Sequence, residues 1–183
     1  MVRVKDYIPD IRIDLKYAGA DNFLGRPIYT YEDAWLRYGT VKKLTAAQEA
    51  VKARGFSLKI WDAWRDPAAQ FLMWELMPND DYVADPYKGF SKHSRGNTVD
   101  VTLVDLSTGQ EVEMPSEFDD FSERANRDYS QASVAARSNV LFLEETMKNA
   151  GFNAYFGEWW HFHDKKVYDI VESIFAEDSY AQS

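Results

Sequence analysis

The three histidines of the chain all lie in two short segments that also contain acidic side chains. His93 lies in S-K-H-S-R-G-N-T-V-D, which ends at Asp100, and His161 and His163 lie in G-E-W-W-H-F-H, whose acid is Glu158. Two histidines and one carboxylate around an open fourth position form the ligand set of a hydrolytic zinc site. A further carboxylate that does not bind the metal can accept a proton from the bound water.

The residues alone leave other interpretations open. A histidine near a strand end is often a hydrogen-bonded structural residue, and Asp100 could face solvent at the surface of a strand. In an ideal strand His161 and His163 share one face, whereas Glu158 and His161 point to opposite faces. A bend or bulge, for which Gly157 is available, is therefore needed to aim Glu158 at a metal.

Patterns of apolar residues predict the elements that would position these side chains. Helical spacing predicts four helices, over residues 40–54, 67–75, 133–150 and 165–177. Alternation predicts strands over residues 56–61 and 98–104, and an aromatic-rich, strand-like segment over 152–163. Helices and strands are interspersed without a regular βαβ rhythm, which indicates an α+β fold.

Composition limits the classes of protein to which the chain can belong. Its 183 residues show no repeat or linker, so we expect a single domain over 1–183. A net charge of −9 argues against a nucleic-acid partner, and no apolar run is long enough for a membrane span. Without cysteine there is no thiolate metal site or cysteine nucleophile. No secretory signal is visible, so we expect a cytoplasmic protein, although a mature periplasmic or extracellular form stays open.

Both histidine segments resemble motifs of one enzyme family. S-K-H-S-R-G-N-T-V-D resembles S-x-H-x-x-G-x-A-x-D, and E-W-W-H resembles the E-x-W-H-type motif, of VanX-type D-alanyl-D-alanine dipeptidases. Further similar blocks follow in the same order between about residues 9 and 163, namely D-L-K-Y-A, D-N-F-L-G-R-P-I-Y-T-Y, W-D-A-W-R-D-P and F-D-D-F-S-E-R. These zinc D,D-peptidases share the fold of the hedgehog N-terminal domain. The resemblance thus implies a compact domain with a small, mainly antiparallel sheet flanked by helices, and leaves the helix at 165–177 unexplained.

The resemblance also implies a role for individual residues. One Zn²⁺ per chain would be bound by His93, Asp100 and His161. Glu158 would act as general base and then as general acid, and Arg65 would stabilise the oxyanion of the tetrahedral intermediate. For the substrate pocket the resemblance implies Asp119 at the free ammonium group, and three residues that shape the ends of the pocket, Tyr17, Tyr31 and Ser91.

Taken without the family, several of these residues have simpler interpretations. Arg65 could form a surface ion pair with the adjacent Asp66. Asp119 lies in an acidic run of the kind that usually forms a solvated face, and the two tyrosines could be packing residues. His163 adds an imidazole that we place outside the ligand set, and Thr98 stands where the family usually has alanine.

The function implied by the resemblance is zinc-dependent hydrolysis of D-alanyl-D-alanine, or a close D,D-dipeptide, linked to peptidoglycan precursor supply or turnover. One alternative is a D,D- or L,D-carboxypeptidase, or an endolysin-like peptidase, that acts on peptidoglycan stem peptides. Asp119 disfavours that alternative because a longer substrate has no free amine at this position. A second alternative is a non-catalytic, hedgehog-like zinc module, which the presence of Glu158 and Arg65 disfavours.

Overall fold

The structure is a computed structural model, and it describes residues 1–80 and 82–174. Its α-helices are α1 (Tyr38–Lys52), α2 (Pro67–Leu76) and α3 (Val134–Asn149). Its strands are β1 (Val2–Arg3), β2 (Arg12–Ile13), β3 (Trp35–Leu36), β4 (Phe56–Asp62), β5 (Thr98–Asp105), β6 (Phe152–Ala154) and β7 (His161–Asp164). In the part of the chain so described, no helix has both the length and the apolar character needed to cross a membrane.

One five-stranded sheet organises the molecule, with the strand order β2-β4-β5-β7-β6. β2 runs parallel to β4, and the other three pairings are antiparallel. The strands β1 and β3 form a separate antiparallel pair. Helices α1 and α3 pack against each other and against the sheet. The prediction of an α+β fold with a mainly antiparallel sheet is confirmed.

Helices α1 and α3 form where the apolar spacing predicted them. In α1 the fully buried residues recur every three or four positions, at Val41, Leu44, Ala47 and Val51. The Ser133 side chain caps α3 by accepting a hydrogen bond from the amide of Ala136 at 3.0 Å. These helices cover one face of the sheet and leave its opposite face for the site.

Strand β5 is more buried than its alternating sequence suggested. Every residue from Thr98 to Val104 is buried, because β5 has neighbouring strands on both edges and packed residues on both faces. Asp100 is only 3% exposed, so the interpretation of Asp100 as a solvent-facing strand residue is wrong. A carboxylate in this position needs a compensating partner.

The helix predicted at 165–177 is wrong over residues 165–174, and residues 175–177 lie outside the described part of the chain. Residues 165–174, which we call the C-terminal strap, form neither helix nor strand. The amide of Val171 donates to the carbonyl of Ser94 at 2.9 Å. The carbonyl of Val171 accepts from Trp64 Nε1 at 3.2 Å.

Side chains of the body bind further carbonyls of the strap. Arg95 Nη1 donates to the carbonyl of Tyr168, and Arg37 Nη2 to that of Asp169, both at 2.7 Å. A helix would need these carbonyls for its own i to i+4 hydrogen bonds. Tertiary hydrogen bonds to the backbone of the strap therefore override the helical pattern, and Val167, which belongs to that pattern, is 80% exposed.

Candidate metal centre and peptide pocket

Three acidic or imidazole side chains lie in one row across the sheet. Asp62 on β4 is the Cα partner of Asp100 on β5, and Asp100 is the partner of His161 on β7. A bulge in β4 between Ile60 and Asp62 sets this register. Directly opposed residues of antiparallel strands project to the same face of the sheet. The three side chains therefore converge.

His93 reaches the same place from a short 3₁₀ turn that precedes β5. Ser91 Oγ caps this turn by accepting from the amide of His93 at 3.3 Å. Gly96 ends the turn in the left-handed region, at φ 69°, where glycine has no steric penalty. His93 Nδ1 lies 2.7 Å from the carbonyl of Ala63 and can donate to it. That hydrogen bond leaves Nε2 as the free acceptor that a metal requires.

The ligand atoms of His93, Asp100 and His161 all lie within 4.8 Å of one another. Asp100 Oδ1 is 3.3 Å from His93 Nε2 and 3.1 Å from His161 Nδ1. This buried oxygen has no hydrogen-bond partner among the described residues. Burial by itself would raise the pKa of Asp100, but the adjacent imidazoles outweigh burial and hold the pKa below its usual range. Two nitrogens and an oxygen that lacks a hydrogen-bond partner, all around one point, fit a divalent cation.

Glu158 lies on the segment between β6 and β7, residues 155–160, which we call the Glu158 loop. The strand-like segment predicted over 152–163 is thus two strands with a turn between them. Gly157 lies in this bend, where an added Cβ would come within 3.0 Å of the Tyr155 ring. Glu158 Oε2 lies 3.3 Å from His161 Nδ1. Burial raises the pKa of Glu158, which suits a group that must both accept and return a proton.

Arg65 is buried in a polar network rather than paired with Asp66 at the surface. Its Nη2 donates to Asp62 Oδ2 at 2.7 Å, and its Nη1 donates to Gln70 Oε1 at 3.0 Å. Its Nε lies 3.3 Å from the hydroxyl of Tyr29, which in turn donates to Asp62 Oδ1 at 2.7 Å. Asp66 instead caps α2. The surface ion-pair interpretation is therefore wrong.

Sequence reasoning missed the three residues that hold Arg65, which are Asp62, Tyr29 and Gln70. Asp62 lies three residues before Arg65 at the end of a predicted strand, and that spacing was the available signal. Tyr29 and Gln70 come from distant segments, so nothing in their local sequence marks them.

Asp119 faces the pocket from a loop. The Tyr17 hydroxyl donates a hydrogen bond to Asp119 Oδ2 at 3.0 Å. Burial and the charge of Asp100 raise the pKa of Asp119 to about 8, although the Tyr17 hydrogen bond opposes that rise. The φ of Asp119 is 57°, a left-handed value that aspartate tolerates better than most residues. The interpretation of Asp119 as part of a solvated acidic face is wrong.

A cavity of about 330 Å³ brings most of the predicted residues together. Eight of the nine residues implied by the family line it, which are Tyr17, Arg65, Ser91, His93, Asp100, Asp119, Glu158 and His161. Tyr31 lies behind Arg65 instead, because its hydroxyl donates to the carbonyl of Trp64 at 2.9 Å and its ring stacks on Trp64.

Two departures from the family pattern leave the cluster intact. The hydroxyl of Thr98 lies 3.3 Å from Asn97 Oδ1 and is fully buried. His163 is outside the three-residue metal group, and its Nε2 lies 3.5 Å from Lys92 Nζ.

Aromatic side chains that the sequence did not single out surround the pocket mouth. The Phe121 ring contacts Phe23 and Tyr82, with centroid distances of 5.3 and 4.4 Å. These rings come from three separate loops, and all three line the cavity.

Known proteins resemble this chain over most of its length. A model of a peptidase family described as D-ala-D-ala dipeptidase matches residues 1–177. The D-alanyl-D-alanine dipeptidase of Escherichia coli is 37% identical over 154 residues, covering 84% of this chain and 79% of that protein. The enzyme of the same name from Enterococcus faecium is 34% identical over 176 residues, covering 86% and 87%.

A solved structure is similar in fold. It is the LdcB LD-carboxypeptidase, whose study concerns peptidoglycan recognition. The alignment has a TM-score of 0.51 at 16% identity and covers 86% of this chain and 66% of that one. This likeness concerns the fold alone.

Proposed function

Because the chain belongs to the M15 peptidase family of D-Ala-D-Ala dipeptidases, we propose that it hydrolyses D-alanyl-D-alanine with one zinc ion bound by His93, Asp100 and His161. The protein is a metallopeptidase of the dipeptidase type. The identity of the metal and the role of each residue are our proposal, and the geometry of the cavity supports them.

The single observation that carries the proposal is the buried Asp100 oxygen between two imidazole nitrogens. It has no hydrogen-bond partner among the described residues, and a carboxylate in that state is costly unless a cation compensates it. Two nitrogens and one oxygen with an open fourth position are the donor set of catalytic zinc. When bound, zinc would lower the pKa of a water molecule and polarise the scissile carbonyl.

Glu158 transfers the proton. Its Oε2 lies 3.3 Å from Nδ1 of His161, one of the residues that would hold the metal, so Glu158 would be placed to take a proton from an attacking water. It accepts a proton from that water as the oxygen attacks the amide carbonyl. It then donates the proton to the leaving amine, so that one residue serves both steps.

Arg65 stabilises the negative charge that develops on the carbonyl oxygen. A guanidinium has five N–H donors, and three donate to Asp62, Gln70 and Tyr29. Because these contacts fix the guanidinium before substrate binds, its charge is already oriented when the transition state forms. Its charge is permanent at any working pH.

Asp119 selects for length by binding the free ammonium group of the dipeptide. The carboxylate accepts from the Tyr17 hydroxyl and lines the same cavity as the metal-ligand candidates, and a volume of about 330 Å³ suits a small peptide. D-Alanine is the product, which connects the enzyme to peptidoglycan precursor supply or turnover. A carboxypeptidase would need room for the rest of a stem peptide where Asp119 lies.

A substrate panel with controlled metal content tests the proposal. Purified protein is chelated, reloaded with zinc and assayed for D-alanine release from D-Ala-D-Ala and from a stem pentapeptide that ends in the same two residues. We expect one zinc per chain, activity only after reloading, and strong preference for the dipeptide. Equal or better cleavage of the pentapeptide would favour the carboxypeptidase alternative, and activity that survives full chelation would refute the metal site.

A further inference from the structure

Arg127 lies behind the Glu158 loop and contacts both of its ends. The side chain is 6% exposed. Its Nε donates to the carbonyl of Tyr155 at 2.6 Å, and its Nη2 donates to the carbonyl of His161 at 2.9 Å. Tyr155 is the first residue of the loop, and His161 is the metal-ligand candidate that directly follows it. One guanidinium thus binds the backbone on both sides of Glu158, at Tyr155 and at His161.

The backbone near Arg127 supports the same loop. The amide of Arg127 donates to the carbonyl of Phe156 at 3.0 Å, and the amide of Trp159 donates to the carbonyl of Ala125 at 2.9 Å. None of the residues of the Glu158 loop belongs to a strand, and only its ends bond to the sheet, through Val101 N to the carbonyl of Trp160 at 3.0 Å and Tyr155 N to the carbonyl of His161 at 3.3 Å. The contacts with residues 125–127 therefore add to the support of the loop between those ends.

The guanidinium is itself held in place from the other side. Arg127 Nη1 donates to Glu144 Oε2 at 3.0 Å and lies 3.2 Å from the hydroxyl of Tyr129. Its centre lies 4.4 Å from the centroid of the Phe162 ring. Glu144 neutralises its charge, so Arg127 affects the site through geometry rather than through a long-range field.

We propose that Arg127 is a positioning residue that fixes the Glu158 loop, and with it the Glu158 carboxylate, relative to the metal ligands. This inference rests on the proposed function because it assigns a role through the general base. A guanidinium can bind two carbonyls at once through its planar set of donors, whereas an ammonium is a single point. Lysine at this position would keep the charge and lose the bridge.

The test compares Arg127→Lys with two controls. Arg124→Lys makes the same substitution three residues earlier, where Nη2 binds the carbonyl of Pro115 outside the loop. Val140→Ala removes buried volume from α3 and controls for a general loss of stability. Metal content, kcat and KM for D-Ala-D-Ala, and amide hydrogen exchange are measured for each protein well below its melting temperature.

We expect Arg127→Lys to keep one metal per chain, to lower kcat about 10- to 100-fold and to change KM less than about threefold. Amides of residues 156–160 should exchange faster, while those of β5 stay unchanged. Neither control should show this pattern. Loss of metal, equal effects on kcat and KM, or unchanged exchange in the loop would overturn the inference.

A double-mutant cycle with Glu158→Gln separates positioning of the general base from any other effect. If Arg127 acts through Glu158, Arg127→Lys should change the residual rate of Glu158→Gln less than about twofold. If Arg127→Lys lowered the rate of Glu158→Gln by the same factor as it lowers the rate of the parent, the inference would be overturned. Hydrogen exchange does not depend on turnover, so a parent protein inactive on D-Ala-D-Ala would refute the proposed function while the exchange result still decides whether Arg127 holds the loop.

Discussion

The pocket has a proposed metal end, formed by His93, Asp100 and His161, and a proposed amine end, formed by Asp119, and the structure holds these two groups in different ways. At the metal end, Asp100 and His161 are cross-strand partners on adjacent strands, and the turn that carries His93 precedes one of those strands. At the amine end, Asp119 lies on a loop with a left-handed backbone and is held by the Tyr17 hydroxyl. The sheet register fixes the first set of side chains, and individual side-chain contacts fix the second.

This difference separates the geometry of catalysis from the choice of substrate. Metal ligands must converge within tenths of an ångström, which a paired strand can provide. A loop tolerates sequence change with little effect on the sheet, so residues at the amine end can alter substrate preference without disturbing the metal end. Substitutions at the metal end should therefore change metal content and turnover, whereas substitutions at the amine end should change the preference between substrates.

The largest effect is expected from removing a metal ligand. His161→Ala takes away one of three ligands and should abolish both metal binding and turnover. His163→Ala, two residues along the same strand, should retain both because His163 is outside the cluster. Metal analysis and dipeptide hydrolysis check the pair. Retention of stoichiometric metal in His161→Ala would contradict our ligand set.

Glu158→Gln should have the next largest effect. It keeps the shape of the side chain but removes its ability to accept a proton, and general acid–base groups contribute about 10²–10⁴-fold to rate. We expect kcat to fall by that factor while metal content and circular dichroism stay as in the parent. Near-parental turnover would show that Glu158 is not the base.

Asp119→Asn should affect selectivity more than chemistry. Losing one partner of a buried charged pair costs about 2–5 kcal/mol, or about 30- to 3,000-fold in kcat/KM for the free dipeptide. N-acetyl-D-Ala-D-Ala has no ammonium group, so its slower cleavage should change little and the gap between the two substrates should narrow. Assays of both substrates with parent and variant test this. An unchanged ratio of the two kcat/KM values would remove Asp119 from substrate recognition.

The last prediction concerns the stability of Asp119→Asn. The substitution should harm hydrolysis of the free dipeptide but should raise the free energy of unfolding. The pKa of Asp119 rises from an ordinary 3.8 to about 8 on folding. Between those pH values the folded protein retains a proton that the unfolded chain loses, so the free energy of unfolding of the parent falls as pH rises. An asparagine side chain at this position would not titrate and would also tolerate the left-handed φ.

By linkage this shift sets an upper limit of about 5 kcal/mol near pH 8. Because Asp119 is only half-buried, solvent screening reduces that value, and we expect Asp119→Asn to stabilise the metal-free protein by at least about 1 kcal/mol, or about 2–4 °C in Tm. The gain should shrink toward pH 4 and vanish below about pH 3, where the carboxyl group is protonated in both states. Thermal melts across this pH range measure the difference. A gain that is the same at pH 4 and pH 8 would mean that ionisation of Asp119 is not its cause.

The sequence predicted the elements whose pattern is set locally. The buried stripe of α1, the cap before α2 and the strands β4 and β5 follow from spacing and capping residues alone. The C-terminal strap did not, because its apolar residues have helical spacing while its carbonyls bind Arg95 and Arg37. Only the rest of the fold could reveal that competition.

Some residues of the candidate site could likewise be predicted from the sequence, and others could not. Motif resemblance indicated His93, Asp100, His161 and Glu158, and the structure brings these side chains together. Asp62 and Arg127 escaped notice because their importance lies in contacts with residues distant in sequence. Tyr31 shares its motif with pocket residues, yet its hydroxyl is directed to the backbone of Trp64. A motif indicates a residue type at a position, whereas packing decides where the side chain points.

The C-terminal strap also bears on how the protein folds as it is synthesised. A nascent chain that has emerged only as far as β5 already contains Arg65, His93 and Asp100. It still lacks His161 and the strap, whose Val171 binds Ser94 and Trp64 beside two of those residues. Such long sequence separations slow folding because loop closure precedes the contacts that stabilise it. The growing chain therefore has no complete centre for catalysis until almost all of the described sequence has left the ribosome.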